Sequence, residues 1–170
     1  IFKQSENETQ EEVEPPPTDL VFTSLDGMEL RAALYLPQSE GPHPVIMWIH
    51  GGGWQQGNRL VAGNHATQQI VGFGNWAVVS VEYRLSNEAI WPAQLDDLQT
   101  ALNWIHDNAN LYNLDAEKIV AWGSSAGGHL ASMLAVTPDL NIVAAIDWFG
   151  PTELNVLFDQ AIVAETDYSA

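Results

Sequence analysis

Apolar residues recur along the chain with two different periods, and together they predict strands alternating with helices. Short runs rich in β-branched and aromatic residues are typical of strands. They lie at 20–25, 28–36, 44–50, 76–83, 118–123 and 142–149. Asp26-Gly27 between the first two runs predicts a tight hairpin turn. From 44–50 onward the runs are nearly continuous, which is typical of strands buried on both faces of a parallel sheet.

Two segments between these runs predict helices. In the first, at 93–108, apolar residues recur at helical spacing; they are Leu95, Leu98, Ala101, Leu102 and Ile105. Pro92 stands where a proline is tolerated in the first turn. The second, at 126–136, is apolar nearly all round, as in a helix packed inside a layer. We therefore expect an α/β fold with a mostly parallel sheet and helices on both faces.

Residues 1–19 differ from everything after them. They carry six acidic groups and one lysine, and Pro15-Pro16-Pro17 lies near their end. This composition predicts a solvated, acidic, proline-rich linker without a packed core. An acidic interaction tail is the alternative. Residues 20–170 are expected to form one continuous structured unit.

Composition excludes several classes of protein. The 170 residues carry 22 acidic and 5 basic side chains, a formal net charge of −17, which argues against nucleic acid and anionic membrane surfaces as partners. The chain has no cysteine, so disulfide and thiol chemistry is excluded. Apolar runs are too short for a membrane span, and neither a metal-ligand spacing nor a cofactor loop is present. We expect no metal, no cofactor and no membrane span.

The most informative residues are Gly123-Ser124-Ser125-Ala126-Gly127, which fit the G-x-S-x-G pattern between a predicted strand and a predicted helix. A serine at the tip of so tight a turn needs glycines two positions away on either side, because side chains there would collide. Gly123 and Gly127 flank Ser125 in this way, whereas the residue two positions before Ser124 is Trp122. Ser125 is therefore the candidate nucleophile. A glycine-rich helix start that binds an anion is the alternative.

A second motif, His50-Gly51-Gly52-Gly53-Trp54, directly follows the predicted strand at 44–50. Consecutive glycines leave backbone N–H groups free to stabilise a developing oxyanion. The residue after the nucleophile, Ala126, would supply another N–H. A flexible loop or a phosphate-binding turn is the alternative, although no Gly-Lys-Ser/Thr follows as in a Walker A loop. Both motifs follow strands, at the edge where open α/β sheets place their sites.

Five linked motifs resemble the α/β-hydrolase esterases: HGGGW, VEYRLS at 81–86, WPAQ at 91–94, WGSSAGGHLA at 122–131 and DWFGPTEL at 147–154. Within them the chain most resembles the bifunctional feruloyl and acetylxylan esterases, near the hormone-sensitive-lipase-like carboxylesterases. The resemblance implies that Ser125 is acylated and that Gly52, Gly53 and Ala126 donate to the oxyanion, with Trp54 as an alternative donor. His50 would brace the oxyanion loop. Implied substrates are small or aromatic acyl esters, such as acetyl or feruloyl groups on polysaccharide; amidases and formamidases use the same machinery.

The triad of this fold is completed by an acid and then a histidine after the nucleophile. Only His129 follows Ser125, inside the predicted buried helix, where we expect a hydrogen-bonded core histidine. The later aspartates lack a recognisable loop motif. We therefore expect an N-terminal portion of an α/β-hydrolase domain, without its C-terminal strands and helices, inactive alone, whose acid and base lie beyond Ala170. A non-catalytic binding scaffold is the rival hypothesis.

Three further side chains invite a functional interpretation. Trp54 and Trp91 are expected in core or rim packing rather than in an aromatic acyl pocket. Arg84 is expected to pair with Asp96 or Asp97 rather than with a substrate carboxylate. The heavy negative charge favours a secreted protein, extracellular or periplasmic, with its acidic segment linking to a signal or an anchor.

Overall fold

The computed structural model describes residues 18–60, 75–157 and 159. Most of the predicted linker lies outside the described residues, so that prediction stands untested there. Its last two residues, Thr18 and Asp19, are the first of strand β1, and the predicted boundary is wrong by those two positions. Asp19 is held in the folded unit because its carboxylate pairs with Arg31 at 2.9 Å and with Arg59 at 2.7 Å.

Six strands form one mixed sheet. They are β1 (Thr18–Leu25), β2 (Met28–Tyr35), β3 (His43–Ile49), β4 (Ala77–Val81), β5 (Leu114–Ser124) and β6 (Ala144–Trp148). Their spatial order is β1-β2-β4-β3-β5-β6. The β1–β2 and β2–β4 pairs are antiparallel, and the pairs β4–β3, β3–β5 and β5–β6 are parallel. The sheet is therefore mostly parallel, as predicted.

Two helices are described, α1 (Ala93–Asn108) and α2 (Ala126–Val136). Both pack against the main core on one face of the sheet, where Val45, Met47 and Ile49 of β3 point. The alternate residues Ile46 and Trp48 point to the other face and form a smaller buried cluster with Val78 and Val120. Alternate residues of these near-continuous apolar runs are thus buried on opposite faces of the sheet. Neither described helix is both long and apolar enough to cross a membrane.

Strand β6 departs from the expectation of a strand buried on both faces. Ile146 is 42% exposed and Trp148 46% exposed. Among the described residues β6 pairs with β5 alone, so it forms the edge of the sheet. Ala145 packs towards the main core, whereas Ile146 and Trp148 lie on the opposite side of the strand.

The pairing of β3 with β5 places the two predicted motifs together. Ile49 of β3 is level with Gly123 of β5 in the parallel register. The loops that follow them therefore leave the same edge of the sheet side by side. The chain reaches β4 on one side of β3 and β5 on the other, so this edge is also a topological switch point, where open α/β sheets bind ligands.

Candidate active site

Ser125 alone connects β5 to α2. Its backbone has φ 53° and ψ −120°, a conformation that non-glycine residues rarely adopt. Such a residue costs about 1–3 kcal/mol and persists only where its surroundings impose it. Ser124 remains in β5, paired with Trp148 of β6. The tight turn therefore lies at Ser125 and not at its neighbour.

The two glycines of the motif lie where the backbone leaves no room for a side chain. A Cβ on Gly123 would overlap the carbonyl oxygen of Gly127, and a Cβ on Gly127 would overlap that of Ile49. The strand, the turn and the first turn of the helix thus approach more closely than any larger residue allows. This is the steric requirement that the G-x-S-x-G spacing predicts.

A turn after β6 holds the backbone of Ser125. The Ser125 N–H donates to the carbonyl oxygen of Trp148 at 2.9 Å. Just before that carbonyl, the Asp147 carboxylate accepts the Gly150 N–H at 2.6 Å and the Ser132 hydroxyl at 2.9 Å. Asp147 therefore ties the turn to helix α2. We did not predict this role, although an Asp followed three residues later by Gly is a turn signal.

The glycine loop after β3 lies against Ser125. A Cβ built on Gly51 would stand 3.3 Å from the Cβ of Ser125. Gly52 and Gly53 have φ values of 115° and 60°, and Trp54 follows with 59°. Among the described residues, the N–H groups of Gly52, Gly53 and Ala126 have no hydrogen-bond acceptor. Three free backbone donors therefore lie in the two segments that meet at Ser125.

His50 fixes the start of this loop. It is 2% exposed, its Nδ1–H donates to the Gly51 carbonyl at 2.7 Å, and its ring stacks on Tyr83 at 4.3 Å between centroids. The Tyr83 hydroxyl in turn donates to the His50 carbonyl at 2.9 Å. Burial lowers the pKa of His50, so the neutral ring is favoured. These contacts support a bracing role for His50.

A second segment, 84–94, is tied to helix α1 and forms one wall beside the glycine loop. Arg84 donates from Nε and Nη2 to the buried carboxylate of Asp97, at 2.9 Å and 2.7 Å. This confirms the predicted ion pair and selects Asp97 rather than Asp96. The Ser86 N–H donates to the Trp54 carbonyl at 2.8 Å, which links the segment to the loop.

A pocket of about 450 Å³ reaches His129, one helical turn after Ser125 in α2. Its lining side chains are mainly apolar and aromatic; they are Trp54, Ser86, Trp91, Gln94, His129, Met133 and Leu154. Trp54 packs against the main core, as expected, and both Trp54 and Trp91 also line this pocket.

The expectation that His129 is a hydrogen-bonded core histidine is wrong. Its ring lines the pocket, 5.4 Å from Trp54 and 6.0 Å from Trp91 between centroids, and its Nδ1 has no partner among the described residues. Burial lowers its pKa, against a smaller opposing effect of the Asp147 charge. The error has a geometric cause, because a residue four positions after Ser125 lies on the helix face that Ser125 begins.

No general base is identified within the described part of the chain. There the Ser125 hydroxyl has no side-chain hydrogen-bond partner. That same part contains no group of three or more His, Asp or Glu side chains able to hold a metal ion.

Comparison with known proteins shows the family and the fold of the chain. The BD-FAE family model matches residues 33–169. A probable carboxylic ester hydrolase, LipM of Mycobacterium tuberculosis, is 31% identical over 131 residues, 70% of this chain and 30% of that protein. Among solved structures, a bacterial heroin esterase superposes with a TM-score of 0.66 at 32% identity, covering 76% of this chain and 41% of that one. An arylesterase structure superposes with a TM-score of 0.70 at 28% identity, covering 81% of this chain and 46% of that one. The chain spans 24–40% of the length of the curated relatives that it matches.

Proposed function

The chain belongs to the BD-FAE family and has the α/β-hydrolase fold, and from this premise we propose that the protein is a serine carboxylic-ester hydrolase. The single observation that carries the proposal is the backbone of Ser125, strained at the tip of a strand-to-helix turn beside a glycine loop whose Gly52 and Gly53 N–H groups have no acceptor among the described residues. A turn of this kind presents a serine hydroxyl to a substrate at the edge of the sheet.

In the proposed reaction, the Ser125 hydroxyl oxygen attacks the ester carbonyl carbon while a general base takes the hydroxyl proton. The N–H groups of Gly52, Gly53 and Ala126 stabilise the resulting oxyanion. The intermediate then collapses, and the leaving alcohol receives the proton from the base. A water molecule attacks the acyl-enzyme in the same way, which releases the acid and restores the serine.

The general base and its orienting acid are proposed to come from outside residues 1–170. Two observations support this. The Ser125 hydroxyl has no side-chain partner in the described ranges, and the curated relatives are two and a half to four times as long as the segment matched. The proposed substrates are small or aromatic acyl esters, such as acetyl or feruloyl groups on polysaccharide.

The test uses the protein expressed from its complete reading frame and p-nitrophenyl acetate as substrate. Ser125→Ala is expected to lower kcat by at least about a thousandfold, because the nucleophile is lost. Ser124→Ala is the matched control, one residue away, and is expected to keep activity within about threefold. Ester hydrolysis that survives Ser125→Ala would overturn the proposal. Faster cleavage of p-nitroacetanilide than of the ester would instead favour an amidase.

A further inference from the structure

We propose that Arg59 is a positioning residue for the oxyanion donors, because it fastens the far end of the glycine loop to the sheet. The inference rests on the proposed function, since it concerns the N–H groups that would stabilise the oxyanion. Arg59 lies beyond the glycines in the sequence, so it acts through the loop rather than on the substrate. Three sets of contacts connect it to those N–H groups.

The first set folds the glycine loop back on its own start. The N–H groups of Gln55 and Gln56 both donate to the Gly52 carbonyl, at 3.1 Å and 3.2 Å. A Cβ on Gly52 would overlap the Gln56 carbonyl, and a Cβ on Gly57 would overlap the His50 ring. The returning half of the loop therefore lies directly against the half that carries the proposed donors. In packing this close, neither half can shift without the other.

The second set holds the returning half through Arg59, by its side chain and by its main chain. The Arg59 Nη1 donates to the Glu82 carboxylate at 2.5 Å, and its Nε donates to the Asp19 carboxylate at 2.7 Å. The Arg59 carbonyl accepts the hydroxyl of Ser80, which is fully buried in β4, at 2.7 Å. Asp19 belongs to β1, and Glu82 directly follows β4. Two strands thus meet at one residue of the loop.

The third set fixes the partner carboxylate and extends to the start of the loop. Glu82 accepts the Arg31 N–H on Oε2 at 3.1 Å, and its own N–H donates to the Arg31 carbonyl at 2.9 Å. The next residue, Tyr83, donates its hydroxyl to the His50 carbonyl. Consecutive residues after β4 therefore hold opposite ends of the glycine loop, Tyr83 its start and Glu82, through Arg59, its end.

The Arg59–Glu82 pair is more shielded from solvent than an ordinary surface pair. The two side chains are 17% and 20% exposed, whereas Arg31, which also pairs with Asp19, is 36% exposed. Exposed pairs contribute little, while a shielded charge-assisted hydrogen bond fixes geometry more firmly. Arg59 is therefore the cation of this cluster that is suited to hold a loop in place.

The experiment uses the protein expressed from its complete reading frame and p-nitrophenyl acetate, with rates expressed per serine labelled by a fluorophosphonate. Arg59→Met keeps the side-chain stem without the guanidinium and is expected to lower kcat about tenfold with KM within about twofold, because loosened donors weaken the transition state more than the ground state. Arg59→Lys is expected to restore part of the loss. Ser80→Ala frees the Arg59 carbonyl and is expected to lower kcat about threefold.

Inhibition by trifluoromethyl ethyl ketone separates this role from a general loss of structure. The Ser125 oxygen adds to the ketone carbon, the hydroxyl proton passes to the general base, and the former carbonyl oxygen becomes an oxyanion. In each variant its inhibition constant is expected to rise by the factor by which kcat/KM falls. Loss of folded protein would instead reduce the number of labelled serines and leave the inhibition constant unchanged.

Arg31→Met is the matched control. The Arg31 side chain pairs with Asp19 and Glu29 on the strands, and the substitution keeps the main-chain N–H that holds Glu82. Its kcat and inhibition constant are expected to stay within about twofold of the wild type.

Two results would overturn the inference and leave Ser125-dependent hydrolysis, and with it the proposed function, intact. One is a wild-type kcat in Arg59→Met, and the other is a lower kcat without a higher inhibition constant. If Arg59→Met does not fold, Arg59→Lys and Ser80→Ala decide by the same two measurements. Hydrolysis that survives Ser125→Ala would count against the proposed function itself.

Discussion

Ser125 keeps an unfavourable backbone conformation because contacts on both sides leave it no alternative. Its N–H is bound to Trp148 and its carbonyl accepts the N–H of His129. Gly51 touches it from the loop after β3. Each contact belongs to a different element, so the strain at one residue is offset by the packing of three segments. The proposed nucleophile is therefore held in place by the elements around it.

At the residue scale, His50 makes the stability of the folded protein depend on pH. Burial lowers its pKa in the folded protein, whereas the unfolded chain titrates near about 6.5. As pH falls through the window below that value, the unfolded state takes up a proton that the folded state resists. Stability is therefore fully present above the window and falls within it, by at most about 1.4 kcal/mol per pH unit.

The measurement is the free energy of unfolding in urea, from about pH 8 to about pH 5.5. His50→Gln removes the titrating ring, and its free energy is expected to depend less on pH than that of the wild type. Parallel curves for the two proteins would show that His50 does not contribute.

Sequence reasoning succeeds at this scale where the backbone restricts the choice of residue. Only glycine fits at positions 123 and 127, so these two residues in the sequence are enough to predict the turn. His129 shows the opposite case, because a histidine is compatible with a core, a pocket or a surface. Its setting depends on Trp54 and Trp91, which are distant in sequence and reach it only through the tertiary fold.

At the scale of elements, the turn after β6 holds the turn after β5 in place through the hydrogen bond from Ser125 to Trp148. Asp147→Ala removes the acceptor of both the Gly150 N–H and the Ser132 hydroxyl. We expect a loss of about 1 kcal/mol in the free energy of unfolding, since the site is partly solvated. We also expect kcat for p-nitrophenyl acetate to fall more than KM changes, because the Trp148 carbonyl that orients Ser125 loosens.

Asp147→Asn tests whether the acceptor matters rather than the charge. Its amide oxygen still accepts the Gly150 N–H, and its amide nitrogen donates to the Ser132 hydroxyl oxygen. Both kcat and the free energy of unfolding are expected to recover most of the loss. An Asn variant as impaired as the Ala variant would contradict this account.

The elements themselves were largely predictable. Both helices begin and end as predicted, and each predicted strand is present with its ends shifted by a few residues. β5 starts at Leu114 rather than at 118, because Leu114 and Asp115 pair with His43 and Pro44 at the start of β3, ahead of a register shift before Ile119. Backbone pairing of this kind has no hydrophobic pattern to reveal it. The same holds for β6, whose exposure depends on which neighbours the sheet provides.

The whole molecule combines a large negative charge with few cations, and those in the described part of the chain are all engaged in ion pairs. The described cations Arg31, Arg59, Arg84 and Lys118 each pair with a carboxylate. Against a formal net charge of −17, these pairs leave most acidic groups without a partner cation. Repulsion among them opposes the compact state, and dissolved ions screen it.

The unfolding temperature is therefore expected to rise by several degrees between about 0.02 M and about 0.3 M sodium chloride, since about 1 kcal/mol corresponds to 2–4 °C in a chain of this size. Scanning calorimetry along that series measures it. A temperature that falls with salt would mean that the ion pairs of these four cations outweigh the repulsion.

The groups proposed to stabilise the oxyanion are all main-chain N–H groups, whereas the pocket is lined by side chains. Replacing one side chain by another leaves the main chain in place, and only proline lacks the N–H. Changes at Trp91 or Met133 would thus alter the shape of the pocket without deleting any of these N–H groups. The pocket is built from side chains and the proposed oxyanion donors belong to the main chain, so substitutions can redesign the pocket while the proposed donors stay in place.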